Sequence, residues 1–179
     1  MGRPKQLLLV RGKAAVRYCA ETFISAGVSD IVVVVAKGGP VGAAVQDLPV
    51  RVVCNEDPAS DMAASVRVGL KAVSPDARFV LVGLADHPLV SSETVRTVLA
   101  ESAKDPVKIV IPRYQGRRGH PTLFPRSIIE EIGEGHTLRD LISIHAGHVR
   151  YLDVDDEGVV LDMDTEEDYQ KMVQKTEER

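Results

Sequence analysis

With 179 residues, 44% of them hydrophobic, the chain is long enough to bury the core of one domain and too short for two full-sized ones. Its 22 Lys and Arg against 26 Asp and Glu leave a net charge of −4, which argues against a sequence-independent nucleic-acid binder working by phosphate neutralisation. No apolar run approaches the ~18–20 residues of a membrane helix and no charged-then-apolar leader opens the chain, so a cytoplasmic protein without a membrane partner is expected.

The chain opens on MGRPKQLLLVRGK, a basic loop with Arg3 and Lys5 at alternate positions and no strand ahead of it. Residues 13–26 have helical spacing, with Val16, Cys19, Ala20 and Phe23 on one face. Continuous Val- and Ile-rich runs at 30–36, 50–54, 78–84 and 108–112 do not alternate, as expected of strands covered on both faces. A second helical stretch at 61–73 aligns Met62, Val66 and Leu70. Strand and helix thus alternate, which predicts an α/β fold with a mainly parallel sheet. Cys19 and Cys54 lack metal or redox spacing and are expected to sit reduced in the core.

After residue 112 the character changes. YQGRRGHPTLF places a Gly-Arg-Arg-Gly turn between two β-prone pieces, and PRSIIEEIGE and TLRDLISIHA read as two short helices. VRYLDV and VVLD flank Asp-Asp-Glu-Gly, which predicts a hairpin. The last helix starts at Thr165, where Asp168 completes a capping box. With no repeat or linker, residues 1–179 form a single domain whose second half elaborates one sheet with a β-hairpin.

In open α/β sheets ligands bind beyond the carboxyl ends of the strands. The residues found there are Lys37 and Gly38, then Asn55, then Asp86 and His87, then Arg113. Asp86 is the sharpest candidate, because it leaves the buried run FVLVGLA at the mouth of the cleft. A carboxylate there suits Mg²⁺, which takes one or two protein carboxylates together with substrate phosphates. The plainer alternative is a turn residue ahead of a helix capped by Ser91. Arg3 and Lys5 supply complementary charge for triphosphate oxygens. His136, His145 and His148 lie near helix ends and read as solvent-facing rather than as a zinc site. No Gly-x-Gly-x-x-Gly follows a strand, which argues against a dinucleotide-dependent oxidoreductase.

Taken in order, MGRPKQLLLVRGK, NEDPASDMAASVRVGL, LVGLADHP, RGHPTLF and LDMDTEEDY resemble the MobA-like nucleotidyltransferases, and most nearly their molybdenum cofactor cytidylyltransferase branch. The likeness runs from Gly2 to Tyr169. It implies a three-layer α/β/α, mostly parallel Rossmann-like sheet of the nucleotide-diphospho-sugar transferase type. It also implies Mg²⁺-dependent transfer of a nucleoside monophosphate, CMP from CTP, onto a phosphorylated acceptor such as molybdopterin. By the same resemblance Lys5 and Asp86 are the catalytic pair, Arg3, Lys5, Asn55, Ser65 and Asp86 contact nucleotide, and Asp86 and Asp164 hold the metal, with Asp162 the weaker member of a C-terminal pair. Arg118, Gly119, His120 and Pro121 match the stretch expected to close over the acceptor, and a molybdoenzyme or a second copy of the chain is the expected protein partner. Other acceptors, sugar phosphates among them, and a non-catalytic relative that only binds nucleotide or pterin stand as alternatives.

The chain departs from the family pattern in three places. Asp61-Met62-Ala63-Ala64-Ser65 stands where Gly-Met-Ser-Ser-Ser is common, and Gly133-Glu134-Gly135-His136 where Gly-Asp-x-Gly is common. The family begins with a strand and a glycine-rich half-loop ahead of the Met-Gly that is residues 1–2 here. That first strand is central in the fold, so the strand from Asp30 is expected either to pair directly with the one from Arg78 or to be separated from it by a gap.

Overall fold

The computed structural model describes residues 4–57, 59, 61–133 and 135–177. A two-stranded hairpin, β1 (Leu9–Val10) and β2 (Lys13–Ala14), turns through Arg11 and Gly12, at φ 47° and 77°, the left-handed pair that matches strand twist. Helix α1 (Ala15–Ser25) follows at once and buries Ala15, Val16 and Ala20. Strand β3 (Val32–Ala36) runs parallel to β4 (Arg51–Asn55) from Val32↔Arg51 to Ala36↔Asn55. Helix α2 (Met62–Ala72) starts where the Asp61 carboxylate accepts the Ala64 N–H at 2.7 Å. The carboxylate that departs from the family pattern is thus a helix cap.

Strand β5 (Phe79–Val82) leads through a turn into α3 (Ser92–Lys104), capped by the Ser91 hydroxyl as its spacing predicts. The second half builds a mixed sheet on β6 (Ile109–Tyr114), β7 (Arg117–Arg118), β8 (Thr122–Pro125) and β9 (Val149–Asp153). β8 lies antiparallel between β5 and β6, while β9 runs parallel along the other edge of β6. Among the described residues parallel pairing is therefore confined to β3–β4 and β6–β9. Short helices α4 (Arg126–Ile129) and α5 (Leu138–Ile144) cover Ile109, Ile111 and Phe124 of this sheet, and α6 (Glu166–Glu177) closes the chain behind the Thr165–Asp168 capping box.

Two local expectations change. The turn of the β6–β7 hairpin is Gln115-Gly116, with φ 46° and 80°, so Arg117 and Arg118 are strand residues rather than the turn itself. No hairpin forms at 155–158, because the buried Asp156 carboxylate accepts N–H groups of Ser91 and Gly158 and the Thr94 hydroxyl, winding Glu157–Val160 into a 3-10 turn against α3. Cys54 is exposed, not in the core, since β4 is an edge strand.

Of the two expectations for the first half, a gap is what forms. Among the described residues no ladder joins β3 to β5, and residues 9–14 pair only with each other. The two edges are nevertheless clasped from both faces. On one face α1 sets Val16 and Ala20 against Val33, and Phe23 against Gly83 so closely that a Cβ there would lie 2.4 Å from its ring. On the other, α2 sets Gly69 against Val34, and its Val66 and Leu70 pack on the same core cluster as Val80 and Val82 of β5. Every residue of β5 and the first four of β3 stay only partly buried, whereas β8 is fully buried.

Candidate active site

Three charged side chains from distant parts of the chain meet beyond the carboxyl end of β5. Lys5 opens a 3-10 turn, Lys5–Leu7, in which Leu7 donates to the Pro4 carbonyl at 2.9 Å and plugs into the cluster around Val16, Ala20 and Val45. Asp86 stands in the turn after β5, which the His87 N–H closes on the Leu84 carbonyl at 3.3 Å. Asp164 precedes α6. Its neighbour Met163 is buried with Val10, Ala15 and Met172, and the Tyr169 hydroxyl donates to the Leu9 carbonyl at 2.8 Å, so α6 is fastened to the N-terminal hairpin.

The result is one ammonium between two carboxylates. Lys5 Nζ lies 2.5 Å from Asp86 Oδ2 and 2.6 Å from Asp164 Oδ1. The Asp86 side chain is 13% exposed, Lys5 32% and Asp164 63%, so the triad runs from a covered floor to an open rim. Burial opposes the Lys5 charge, but hydrogen bonds to Asp164 and Asp86, with the charges behind them, outweigh it and raise the pKa above its ordinary value. Lys5 is therefore a fixed cation throughout the neutral range. Asp162 is exposed, and it is Asp164 that reaches Lys5.

Asp86 and Asp164 fit a divalent cation, because they already direct oxygens at one positive centre. Among the described residues no group of three or more His, Cys, Asp or Glu is arranged to hold a metal. Two carboxylates alone are too few for a closed four-ligand structural zinc site.

Asn55 and Ser65 form a second pair at the end of β4, where Asn55 Nδ2 donates to Ser65 Oγ at 3.1 Å and Asn55 Oδ1 accepts the Asp57 N–H. Arg3 lies outside the described residues. The 118–121 stretch divides: the exposed Arg118 guanidinium sits 5.0 Å from the Tyr151 ring centre, while His120 turns inward. Gly119 is pressed against the 3-10 turn, where a Cβ would come within 2.3 Å of the Val159 carbonyl oxygen, and Pro121 lines a small cavity beneath α1. The His120 ring meets that of His87, the neighbour of Asp86 in the chain, edge-to-face at 5.4 Å. His87 was visible only as a residue after a strand; that two distant histidines share a buried contact has no sequence signal.

Burial and then the neighbouring His87 push the His120 pKa down to about 4, with backbone bonding at Val82 and the Asp86 charge opposing less strongly. His120 is thus neutral in the fold, while the unfolded chain takes up a proton near the ordinary value of 6.5. Its contribution to stability is complete above that value and is lost as pH falls towards 4. Urea unfolding is expected to show a loss of up to about 3 kcal/mol across that window, and His120→Gln should flatten it. Equal slopes in the two proteins would remove His120 as the cause.

The pattern common to MobA-like NTP transferase domains matches residues 1–151. The chain belongs to that family. Asp164 lies beyond the matched residues, so it is the segment leading into α6 that adds the third member of the triad to this NTP transferase domain. Nicotine blue oxidoreductase of Paenarthrobacter nicotinovorans is 28% identical over 97% of this chain and 90% of its own length. The crystal structure of Rv0371c from Mycobacterium tuberculosis H37Rv is 30% identical, with a TM-score of 0.81 over 97% of this chain and 90% of that one. A second structure of Rv0371c is a complex with manganese, 29% identical with a TM-score of 0.78, covering 97% and 93%. The crystal structure of 4-diphosphocytidyl-2C-methyl-D-erythritol synthase from Anaerococcus prevotii shares the fold at 16% identity, with a TM-score of 0.80 over 98% of this chain and 92% of that one. The domain is accordingly of nucleotidyltransferase type with a mixed α/β Rossmann-like core. No helix among the described residues is long and apolar enough to cross a membrane.

Proposed function

We propose that this domain binds CTP as a complex with a divalent cation, Mg²⁺ in the first instance, and transfers CMP to a phosphorylated acceptor such as molybdopterin, releasing pyrophosphate. The observation that carries the reading is the Lys5 ammonium held between Asp86 and Asp164 beyond the end of β5. An acceptor phosphate oxygen attacks the α-phosphorus while the bond to the bridging oxygen breaks and pyrophosphate leaves with that electron pair. Such a reaction needs positioning and charge stabilisation more than covalent help. The cation supplies neutralising charge on the phosphate oxygens when bound. Asp86 and Asp164 hold it, and Lys5, with Arg3 beside it in sequence, takes phosphate oxygens from the opposite side. Asn55 and Ser65 contact the nucleotide, and Arg118 to Pro121 border the acceptor, with Arg118 offering the exposed guanidinium for its phosphate. The work falls in a cytoplasmic setting, with a molybdoenzyme or a second copy of the chain as protein partner.

Calorimetry of the chain with CTP, GTP and ATP in the presence of Mg²⁺ or Mn²⁺, followed by a pyrophosphate-release assay, tests this. CTP is expected to bind at micromolar concentration and ahead of the purines; absence of binding by any of the three would sink the reading and leave a non-catalytic relative. A redox reading is favoured by one observation, the nicotine blue oxidoreductase that is 28% identical over almost the whole chain. Oxidation of a reduced nicotinamide dinucleotide with nicotine blue as the electron acceptor, and without pyrophosphate release, would select it.

A further inference from the structure

The geometry points to Lys5 as a removable counter-ion that competes with the divalent cation for one place between Asp86 and Asp164, so that metal enters only when a triphosphate draws the lysine away. This rests on the metal role assigned above to the two carboxylates and adds an order of binding to it.

Lys5 Nζ already stands 2.5 Å and 2.6 Å from one oxygen of each carboxylate. A Mg²⁺ or Mn²⁺ ion bound to the same oxygens would sit about 2.0–2.2 Å from each. Two cations cannot share that space: the ammonium would be left against the ion, with its hydrogen-bond acceptors taken. The ammonium is also neutralised in advance by two opposite charges. For a metal to enter, the side chain must move. A lysine can do this, since its compact charge rides on a flexible four-carbon stem. What it moves to must be more negative than the pair it leaves. A triphosphate meets that condition, and its oxygens complete the coordination that two carboxylates leave open. Lys5 thereby couples the two ligands: bare metal meets a site already filled by a cation, while a metal–triphosphate complex brings the acceptor for that cation with it.

The test is a Mn²⁺ titration of the whole chain, read by electron paramagnetic resonance of free Mn²⁺, without nucleotide. Lys5→Met, which keeps the stem and removes the charge, is expected to bind bare Mn²⁺ at least about fivefold more tightly than wild type, the lower end of common coupling factors. The preformed CTP–Mn²⁺ complex should show the reverse order, with Lys5→Met weaker, because the phosphates have lost their cation. A structural role for Lys5 would not invert the ranking. Equal or weaker binding of bare Mn²⁺ by Lys5→Met overturns the proposal. Lys5→Gln, neutral but able to donate to both carboxylates, serves if Lys5→Met fails to fold, and the same inversion is required of it. Asp86→Asn separates the two levels. If it binds the preformed CTP–Mn²⁺ complex as tightly as wild type does, the metal reading itself fails; if it loses that complex while Lys5→Met gains nothing for bare Mn²⁺, only the competition fails.

Discussion

Replacing Asp86 by asparagine is expected to lower nucleotidyl transfer by at least about a hundredfold, the usual cost of removing one electrostatic stabiliser, with little change in melting temperature. Asparagine keeps the shape of the side chain and the turn closed by His87 and Leu84, so the backbone has no reason to move. What disappears is the most buried negative charge of the triad, at 13% exposure, where water screens least. Lys5 retains Asp164, and both are open enough to solvent that the lost pair costs the fold little. Asp164→Asn should fall less far, because its carboxylate is 63% exposed and water can replace part of what it offers. The loss belongs in kcat as well as in KM, since the charge on the triphosphate grows as pyrophosphate departs. Turnover of Asp86→Asn within a few-fold of wild type would remove Asp86 from the chemistry.

What was legible in the sequence follows from the range over which each signal acts. The runs at 30–36, 50–54 and 78–84 became β3, β4 and β5, because unbroken Val and Ile favour an extended chain wherever it sits; the expected cover on both faces is not reached by β4, which leaves Val52 and Cys54 exposed. Caps at Ser91 and Thr165 are three-residue interactions legible directly in the sequence; the equally local caps at Asp61 and Thr137 escaped that reading, Asp61 standing out only as a departure from the family pattern. Strand direction was not legible: TLFP of β8 looks like any buried strand, and only its insertion between β5 and β6 makes the sheet mixed. The false hairpin at 155–158 has the same origin, since the groups that seize Asp156 lie 62 and 65 residues earlier. Lys5 and Asp164 are 159 residues apart, and nothing periodic links them. Resemblance to a family could bring them together on paper; in the molecule it is Tyr169 on Leu9, and Met163 beside Val10, that do so.

Amide exchange should expose the unpaired edges of β3 and β5 as alternation along each strand. Arg51 N–H donates to Ile31 and Lys37 N–H to Asn55, so the parallel ladder engages the odd-numbered residues of β3 and turns the peptide groups of Val32, Val34 and Ala36 towards β5. Arg126 N–H donates to the Arg78 carbonyl, which makes Val80 and Val82 the bonded partners of β8 and turns Phe79 and Leu81 the other way. Those five amides face a space that no described strand enters. Their exchange needs no opening of the sheet, whereas Val33, Val35, Val80 and Val82 must wait for β4 or β8 to separate, at a free energy approaching that of unfolding. Residue-resolved exchange by NMR is expected to show at least about a hundredfold difference between the two sets, a contrast of roughly 3 kcal/mol in opening free energy. Uniform protection along both strands would mean that the edges are bonded, and that β3 and β5 belong to one continuous sheet in solution. The same measurement bears on the site, because Leu7 and Ala85, which flank Lys5 and Asp86 along the chain, pack on the same Val16–Ala20–Val45 cluster as Val33, and the loop that presents Lys5 to Asp86 is only as rigid as the strands beneath it.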